Sequence, residues 1–314
     1  LVDIEVKGQE ASEEEASIQV AEEHRDNDVH PIPQQEKAWS SNIKALPSVR
    51  RRAKELGVDL GTIQRPSGSR GQITMEDLKS TPAHFNGYRV TPLNVFQKAM
   101  VKSMTESIKI PHFGYHDEIQ IDRLLEVRAE LNSTQPKLKL TPLHFIIKAL
   151  SEALKEFPQL NGYFVSNGTE LRLWESHNIS LAIDTGHGLA VPVIKGVERL
   201  SVPEVAHELR RLTELARQNK LTKGDLEDGT ITISNIGTIG GTTACPIIPH
   251  PQLAIVALGR SQRLPRFNAA DQVVPVTMLP VSWAADHRVV DGATIARFSQ
   301  RWKAIIQSPS LLLI

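Results

Sequence analysis

The sequence contains few of the residues that mark several large classes of protein. It has one cysteine in 314 residues, so it cannot form an internal disulfide, which fits a reducing compartment or the mitochondrial matrix better than secretion. No uninterrupted apolar run approaches the roughly 18 residues of a membrane span. The histidines are scattered without the paired spacing of a zinc site, and the sequence predicts no metal.

Neither sign of charge is in excess. Lys and Arg total 36, as do Asp and Glu, so the net charge of +0 provides no global field toward nucleic acid or an anionic membrane. A basic cluster at Arg50 to Lys54 lacks the interleaved aromatic residues of nucleic-acid sites, and docking on an acidic protein surface or a solvated helix face explains it better. The length predicts about two domains, and 40% hydrophobic residues supply a core.

The N-terminal third alternates between polar segments and short helical patterns. Residues 1–6 alternate like a strand, and residues 8–42 are polar and acidic, as in a tether. Helical patterns follow at 45–57, with Pro47 at the start and Gly57 past the end, and from Thr74. Two such helices make a domain of marginal stability.

From residue 90 onward the pattern predicts a mixed sheet covered by helices. Apolar residues at helical spacing predict helices near Val95, near Leu124, and over 143–157, 202–218 and 292–306. Alternating or continuous apolar runs predict strands near Ile119 and at 171–174, 179–184, 189–193, 229–234, 254–258 and 276–283.

The segment 286–292, DHRVVDG, lies where a predicted strand gives way to a helix, an edge at which proteins expose catalytic side chains. His287 is a candidate base for activating a thiol, and Asp291 follows four residues later. Taken alone, a D-H-R step is more typical of a structural histidine in a surface ion-pair cluster.

A glycine-rich segment, 234–242 or SNIGTIGGT, directly follows another predicted strand. Its glycines would let the backbone approach a ligand closely, and Ser234 could donate a hydrogen bond to an oxyanion. It matches neither a Walker nor a Rossmann pattern, so by itself a structural turn remains the commoner interpretation.

These motifs, in this order, resemble the E2 components of 2-oxo acid dehydrogenase complexes over essentially the whole chain. The segments 96–100, 109–115, 234–242 and 281–292 look most like the branched-chain form. The resemblance implies a lipoyl-domain closing strand at 1–7, a flexible acidic linker at 8–43, a peripheral-subunit-binding domain at 44–80, a linker at 81–89 and an acyltransferase domain at 90–314.

The resemblance also implies an α/β core like that of chloramphenicol acetyltransferase, a mixed sheet with flanking helices, assembled as trimers and then as a 24-subunit core. It implies transfer of a branched-chain acyl group from S-acyl dihydrolipoamide to coenzyme A, the lipoyl group being carried outside this chain. His287 is then the general base, Ser234 of a neighbouring subunit stabilises the oxyanion, and Asp291 orders the site by ion pairing. Related enzymes often carry arginine where this chain has Gln97, which leaves the partner of Asp291 open.

The resemblance also implies binding residues, at the positions where this sequence matches the motifs of the family. The expected coenzyme A contacts are Arg128, Thr141, Asp184, Thr213, Ser234, Asn235, Thr238, Gly259 and Ser261. The residues expected to dock the dihydrolipoyl dehydrogenase (E3) and the decarboxylase (E1) are Arg50, Arg51, Lys54 and Arg70. Gln72 replaces a further arginine usual in such domains.

Two other functions remain open: an acetyl-specific E2, and a non-catalytic E2-like scaffold, which would be expected to lose the histidine. An acyltransferase with a small free acceptor would leave the tether and docking domain without a purpose. The expected location is the mitochondrial matrix in a eukaryote and the cytoplasm in a bacterium.

Overall fold

In a computed structural model, the described residues are 43–63, 65–80, 84–85, 88–89, 91–165, 168–186 and 188–313. The chain divides between Thr91 and Pro92 into two units. The predicted strand at 1–6 and nearly all of the predicted acidic linker lie outside the described residues. Among the helices described, none combines the length and apolar character needed to span a membrane.

The N-terminal unit is built on two short helices, α1 (Pro47–Leu56) and α2 (Met75–Ser80). Gly57 ends α1 in the left-handed conformation, with φ 62°, as the sequence predicts. The apolar core of the unit consists of Val49, Ala53, Val58, Leu60, Ile73 and Leu78. The buried carboxylate of Asp77 accepts hydrogen bonds from the backbone N–H groups of Ser67 and Thr74, which ties the irregular loop onto α2.

Two short strands near the end of this unit, β1 (His84–Phe85) and β2 (Tyr88–Arg89), pair with each other. The C-terminal unit contains the strands β3 (His112–Gln120), β4 (Gly162–Phe164), β5 (Leu171–Leu173), β6 (Ile179–Thr185), β7 (Gly188–Ala190), β8 (Val193–Ile194), β9 (Ile231–Asn235), β10 (Ala254–Leu258), β11 (Gln262–Phe267) and β12 (Val273–Asp286). Its helices are α3 (Val95–Ser107), α4 (Asp122–Thr134), α5 (Pro142–Leu154), α6 (Val202–Arg217), α7 (Lys223–Leu226) and α8 (Gly292–Gln307).

The main sheet of the described residues has the order β11-β12-β10-β9-β6-β7, with β3 added to β12 and β8 to β6. Strands β6, β9 and β10 run parallel, whereas β12 is antiparallel to β10 and to β3. Helices α4, α5, α6 and α8 bury their apolar faces in one core with the sheet. The predicted mixed α/β fold is therefore confirmed.

Helix α8 is attached to the sheet by aromatic side chains. The ring of Trp283 on β12 lies 5.3 Å from that of Phe298 and 5.2 Å from that of Trp302, and all three are fully buried. The indole N–H of Trp283 donates to the hydroxyl of Ser299 at 3.1 Å. Each such aromatic pair stabilises the fold by about 0.5–1.5 kcal/mol beyond the burial of its apolar area. The pairs attach α8 to β12, so the turn that joins these two elements is held at both ends.

Three strand predictions were wrong in extent. The predicted strand at 189–193 splits into β7 and β8, because Pro192 between them has no N–H to donate to a ladder. The strand near Ile119 extends back to His112 and ends at Gln120. The strand predicted at 276–283 is much longer, and its partner β11 was missed because most of its residues are exposed.

Candidate active site

The turn between β12 and α8 presents His287. The backbone N–H groups of Val289 and Val290 both donate to the carbonyl of Asp286, at 3.1 and 2.9 Å. The N–H of His287 itself donates to the carbonyl of Pro111 at 2.9 Å, next to the start of β3. Three backbone hydrogen bonds therefore fix the backbone of the turn that carries the histidine.

The imidazole of His287 is also oriented. Its Nδ1 lies 3.0 Å from the carbonyl oxygen of Val290. A carbonyl only accepts, so Nδ1 carries the proton of this bond, and in the neutral ring the free lone pair is on Nε2. The ring packs against that of Phe113 with 4.8 Å between centroids. A neutral imidazole with Nε2 unprotonated is the form required of a general base.

Phe113 fits between the imidazole and the first residue of α8. A Cβ atom on Gly292 would lie 2.8 Å from Cζ of Phe113, closer than side-chain contacts allow. We expect Gly292→Ala to displace the Phe113 ring, and His287 with it, lowering kcat for acyl transfer about 10-fold and stability by about 1–3 kcal/mol. Steady-state kinetics and thermal unfolding measure the two effects.

Gly114→Ala is the matched control, because a Cβ atom there meets nothing within 4 Å. Equal kcat values in the two variants would show that the packing of Gly292 on Phe113 does not act on the site.

Asp291 caps helix α8. Its carboxylate accepts a hydrogen bond from the N–H of Thr294 at 2.6 Å. That bond lowers the pKa of the carboxyl from its usual value, and the charge of Arg297 acts in the same direction. Asp291 makes no ion pair within the described residues, so its predicted ion pairing stays a prediction. Gln97 is used locally, in a capping box with Asn94 at the start of α3.

Ser234 and Asn235 end strand β9 and lead into the glycine-rich loop. The N–H of Gly237 donates to the carbonyl of Leu258 at 3.0 Å, and a Cβ atom on Gly237 would lie 2.2 Å from the carbonyl oxygen of Gly259. Position 237 therefore requires a glycine because two backbone segments are in contact there. A Cβ atom at Gly240 would meet nothing within 4 Å, so that side of the loop is open.

Ser234 and His287 lie toward opposite ends of β10. Ser234 on the parallel strand β9 is beside Ala257, near the end of β10. Asp286 donates its N–H to the carbonyl of Leu253, just before β10 begins. Four residues of strand correspond to about 13 Å. One protomer therefore does not bring the two side chains onto the same substrate carbonyl.

Several predicted coenzyme A residues do lie together. Asp184, Ser234, Asn235 and Gly259 occupy the carboxyl ends of β6, β9 and β10 or follow them directly. Asp184 is exposed and the side chains at 234 and 235 are partly exposed, whereas Gly259 is buried against the carbonyl of Thr242. Thr238 and Ser261, on the adjoining loops, are exposed. The carboxyl edge of parallel strands is the usual location of ligand sites in α/β sheets.

A second group of predicted residues lies where α4 approaches the start of α5. Arg128 on α4 has a buried Nε with no hydrogen-bond partner among the described residues. One turn later, the amide of Asn132 binds both the N–H and the carbonyl of Leu140, at 2.8 and 2.9 Å. These bonds hold Thr141, the exposed residue before α5, close to the helix that carries Arg128.

His144 fixes the orientation of Thr141. Its Nδ1 accepts the backbone N–H of Thr141 at 3.0 Å, which requires a neutral ring. Burial lowers the pKa of His144 to about 4, and the charge of Arg210 on α6 adds to that effect. Thr213, on the same helix as Arg210, donates its hydroxyl to the carbonyl of Leu209 at 2.7 Å. Sequence reasoning missed Asn132 and His144, because a lone polar residue inside a helix pattern carries no distinguishing signal.

In the small unit, Arg50 donates to the backbone carbonyls of Ala45 and Ile43, so its guanidinium ties down the segment before α1. Arg51, Lys54 and Arg70 are exposed.

The described residues contain no group of three or more His, Cys, Asp or Glu side chains that could hold a metal ion.

Residues 85–314 match the family model of the 2-oxoacid dehydrogenases acyltransferase catalytic domain. Residues 43–79 match that of the e3 binding domain. The mitochondrial lipoamide acyltransferase component of the branched-chain alpha-keto acid dehydrogenase complex of Caenorhabditis elegans is 44% identical over 86% of this chain, which spans 67% of that protein. The dihydrolipoyllysine-residue acetyltransferase of the Buchnera aphidicola pyruvate dehydrogenase complex is 34% identical over 82% of this chain, which spans 69% of that protein.

Several solved structures are similar to this chain over about 70% of its length. The dihydrolipoamide acetyltransferase of Azotobacter vinelandii, in which a serine, a histidine and an asparagine were investigated for their role in the catalytic mechanism, has a TM-score of 0.69 and 30% identity. The comparison covers 72% of this chain and 94% of that one. The cubic core of the pyruvate dehydrogenase multienzyme complex gives the same TM-score and identity, over 73% of this chain and 96% of the other.

Proposed function

The chain belongs to the 2-oxoacid dehydrogenase acyltransferase family, and we propose that it transfers a branched-chain acyl group between S-acyl dihydrolipoamide and coenzyme A in the branched-chain complex. The observation that best supports this proposal is the geometry of His287, in which the Val290 carbonyl holds Nδ1 and Nε2 has no hydrogen-bond partner among the described residues. The higher identity to the branched-chain relative than to the acetyltransferase supports the choice of acyl group.

The chemistry requires a base. A thiol with a pKa near 8.5 is mostly protonated at neutral pH. His287 Nε2 removes the proton of the coenzyme A thiol, and the thiolate attacks the thioester carbonyl of the acylated dihydrolipoyl group. Ser234 donates a hydrogen bond to the resulting oxyanion. When the intermediate collapses, His287 returns the proton to the departing dihydrolipoyl sulfur, so the imidazole is neutral again.

The serine of each site belongs to a neighbouring subunit in this proposal. Its support is the separation of Ser234 from His287 along β10. The serine, histidine and asparagine investigated in the Azotobacter vinelandii enzyme occur in the same order and at nearly the same spacings as Ser234, His287 and Asp291. We assign Asp291 to ordering the turn through its cap. Similarity to a cubic core supports assembly of trimers into a 24-subunit core.

We assign the binding of coenzyme A to the residues that match the motifs of the family. Arg128 is the candidate phosphate ligand, because its buried Nε has no partner among the described residues and an unpaired buried donor is costly. The other assigned contacts are Thr141, Asp184, Thr213, Ser234, Asn235, Thr238, Gly259 and Ser261.

The small domain at 44–80 is assigned to docking of dihydrolipoyl dehydrogenase and the decarboxylase, through Arg50, Arg51, Lys54 and Arg70. The match to the e3 binding domain supports this assignment. The relative from Caenorhabditis elegans is named as mitochondrial, which supports a location in the matrix.

Acyl specificity is tested by measuring kcat/KM for transfer from isobutyryl-, isovaleryl-, 2-methylbutyryl- and acetyl-coenzyme A to free dihydrolipoamide. A pocket shaped for the branched chain discriminates by about 10-fold or more for each buried methyl group. We expect isobutyryl to exceed acetyl by at least about 10-fold. Equal or better use of acetyl would identify an acetyl-specific enzyme, and no transfer of any acyl group would identify a scaffold protein.

A further inference from the structure

The residues on either side of His287 form an ion pair whose carboxylate is buried. The side chain of Asp286 is 1% exposed, and its carboxylate accepts three hydrogen bonds from Arg288. They come from the backbone N–H at 3.1 Å, from Nε at 2.9 Å and from a terminal guanidinium nitrogen at 2.6 Å. Because the two partners are two residues apart, their pairing closes a short ring around the backbone of His287.

The guanidinium of Arg288 is held from its other side by an aromatic ring. Its central carbon lies 4.3 Å from the centroid of Phe164, on strand β4. Phe164 in turn packs against the main hydrophobic core. Arg288 is therefore fixed between a buried carboxylate and a core-supported ring, although its own side chain is 38% exposed.

Asp286 connects this pair to the imidazole. Its carbonyl accepts the N–H groups of Val289 and Val290, and the carbonyl of Val290 is the group that holds Nδ1 of His287. A shift of Asp286 would move the Val290 carbonyl and change the hydrogen bond that sets the tautomer. The contacts thus form a continuous path from Phe164 through Arg288, Asp286 and Val290 to His287.

We propose that Arg288 is a positioning residue, which acts through Asp286 and the Val290 carbonyl to hold the imidazole of His287 in its reactive orientation. This inference rests on the proposed function, in which His287 is the base. Arg288 touches no reacting atom in it. The ion pair contributes the geometry of the turn, and Phe164 restricts the guanidinium to that geometry.

The test compares Arg288→Gln, Arg288→Lys and Phe164→Leu by kcat, KM and thermal unfolding, with kcat expressed per folded protein from circular dichroism at the assay temperature. We expect Arg288→Gln to lower kcat about 10- to 100-fold with KM values for coenzyme A and dihydrolipoamide changed less than about 2-fold. Lysine keeps the charge without the two-nitrogen geometry, so Arg288→Lys should recover part of the loss. Phe164→Leu removes only the aromatic face and should lower kcat more mildly, by about 3-fold.

Arg301→Gln is the matched control, since Arg301 on α8 makes an exposed ion pair with Glu156 at 2.7 Å. It should leave kcat unchanged. A wild-type kcat per folded protein in Arg288→Gln overturns the proposal, even if the unfolding temperature falls, because a purely structural role changes only the folded fraction. If Arg288→Gln does not fold, Phe164→Leu and Arg288→Lys decide, and wild-type kcat in both overturns it.

His287→Ala, assayed in parallel, separates this proposal from the one on which it rests. Full activity of His287→Ala would remove the assigned base. Loss of activity in His287→Ala together with wild-type kcat in the Arg288 variants would refute the positioning role alone.

Discussion

Replacing His287 with alanine is expected to lower kcat for acyl transfer from isobutyryl-coenzyme A to dihydrolipoamide by about 10³-fold. At about 1.4 kcal/mol per factor of ten, this corresponds to roughly 4 kcal/mol of transition-state stabilisation. The loss follows because, in the part of the chain that the structure describes, no other histidine has one ring nitrogen fixed by a backbone carbonyl and the other without a hydrogen-bond partner. KM for coenzyme A should change little, since the imidazole acts on the thiol proton and not on the nucleotide.

His207→Ala is the control for the loss of a histidine as such, because His207 is exposed on α6 and has no part in the proposed site. Its kcat should equal that of the unchanged protein. Imidazole added to the assay should restore part of the activity of His287→Ala. It should not raise the activity of the other variants. Activity of His287→Ala within about 3-fold of the original would exclude general-base catalysis by this residue, which supplies at least about 10²-fold where it operates.

The parts of the site that are contiguous in sequence could be predicted. The strand, the turn with His287 and the helix that Asp291 starts all lie within 276–307, and each carries a local signal of apolar period or helix cap. The same holds for Ser234, which follows a strand of continuous apolar character and precedes a glycine-rich loop. Local pattern and local structure agree there because the elements bury their faces against one core.

What could not be predicted depends on register between distant segments. The packing of Phe113 on His287 joins residues far apart in sequence, and it follows from the pairing of β3 with β12. The same is true of Gly237, whose contact with Gly259 follows from the pairing of β9 with β10. A glycine in sequence does not show whether a ligand or another backbone takes the space beside it. At Gly237 this space is occupied by the backbone of Gly259.

Strand register also has the largest consequence for the mechanism. The sequence places Ser234 and His287 in one domain, and the sheet then separates them along β10. A hydrogen bond to the oxyanion requires a donor within about 3 Å. Either Ser234 has no part in the reaction, or a second copy of the chain supplies it.

Mixing two inactive variants distinguishes these possibilities. We expect Ser234→Ala to lower kcat about 10²-fold, the usual loss of one oxyanion donor, and His287→Ala to lower it further. If each site takes its histidine from one subunit and its serine from the next, random trimers of the two variants contain intact sites. Half of the subunits supply each residue, so about one quarter of the sites carry both.

The two variants are unfolded and refolded together in equal amounts, and kcat is compared with that of each variant refolded alone. We expect the mixture to reach about one quarter of the activity of the unchanged protein, well above the residual activity of about 1% or less in either variant alone. The unchanged protein taken through the same unfolding and refolding sets the scale. If the mixture gives only the average of the two variants, each site is built from a single chain, and the assignment of Ser234 to a site shared with a neighbouring subunit fails.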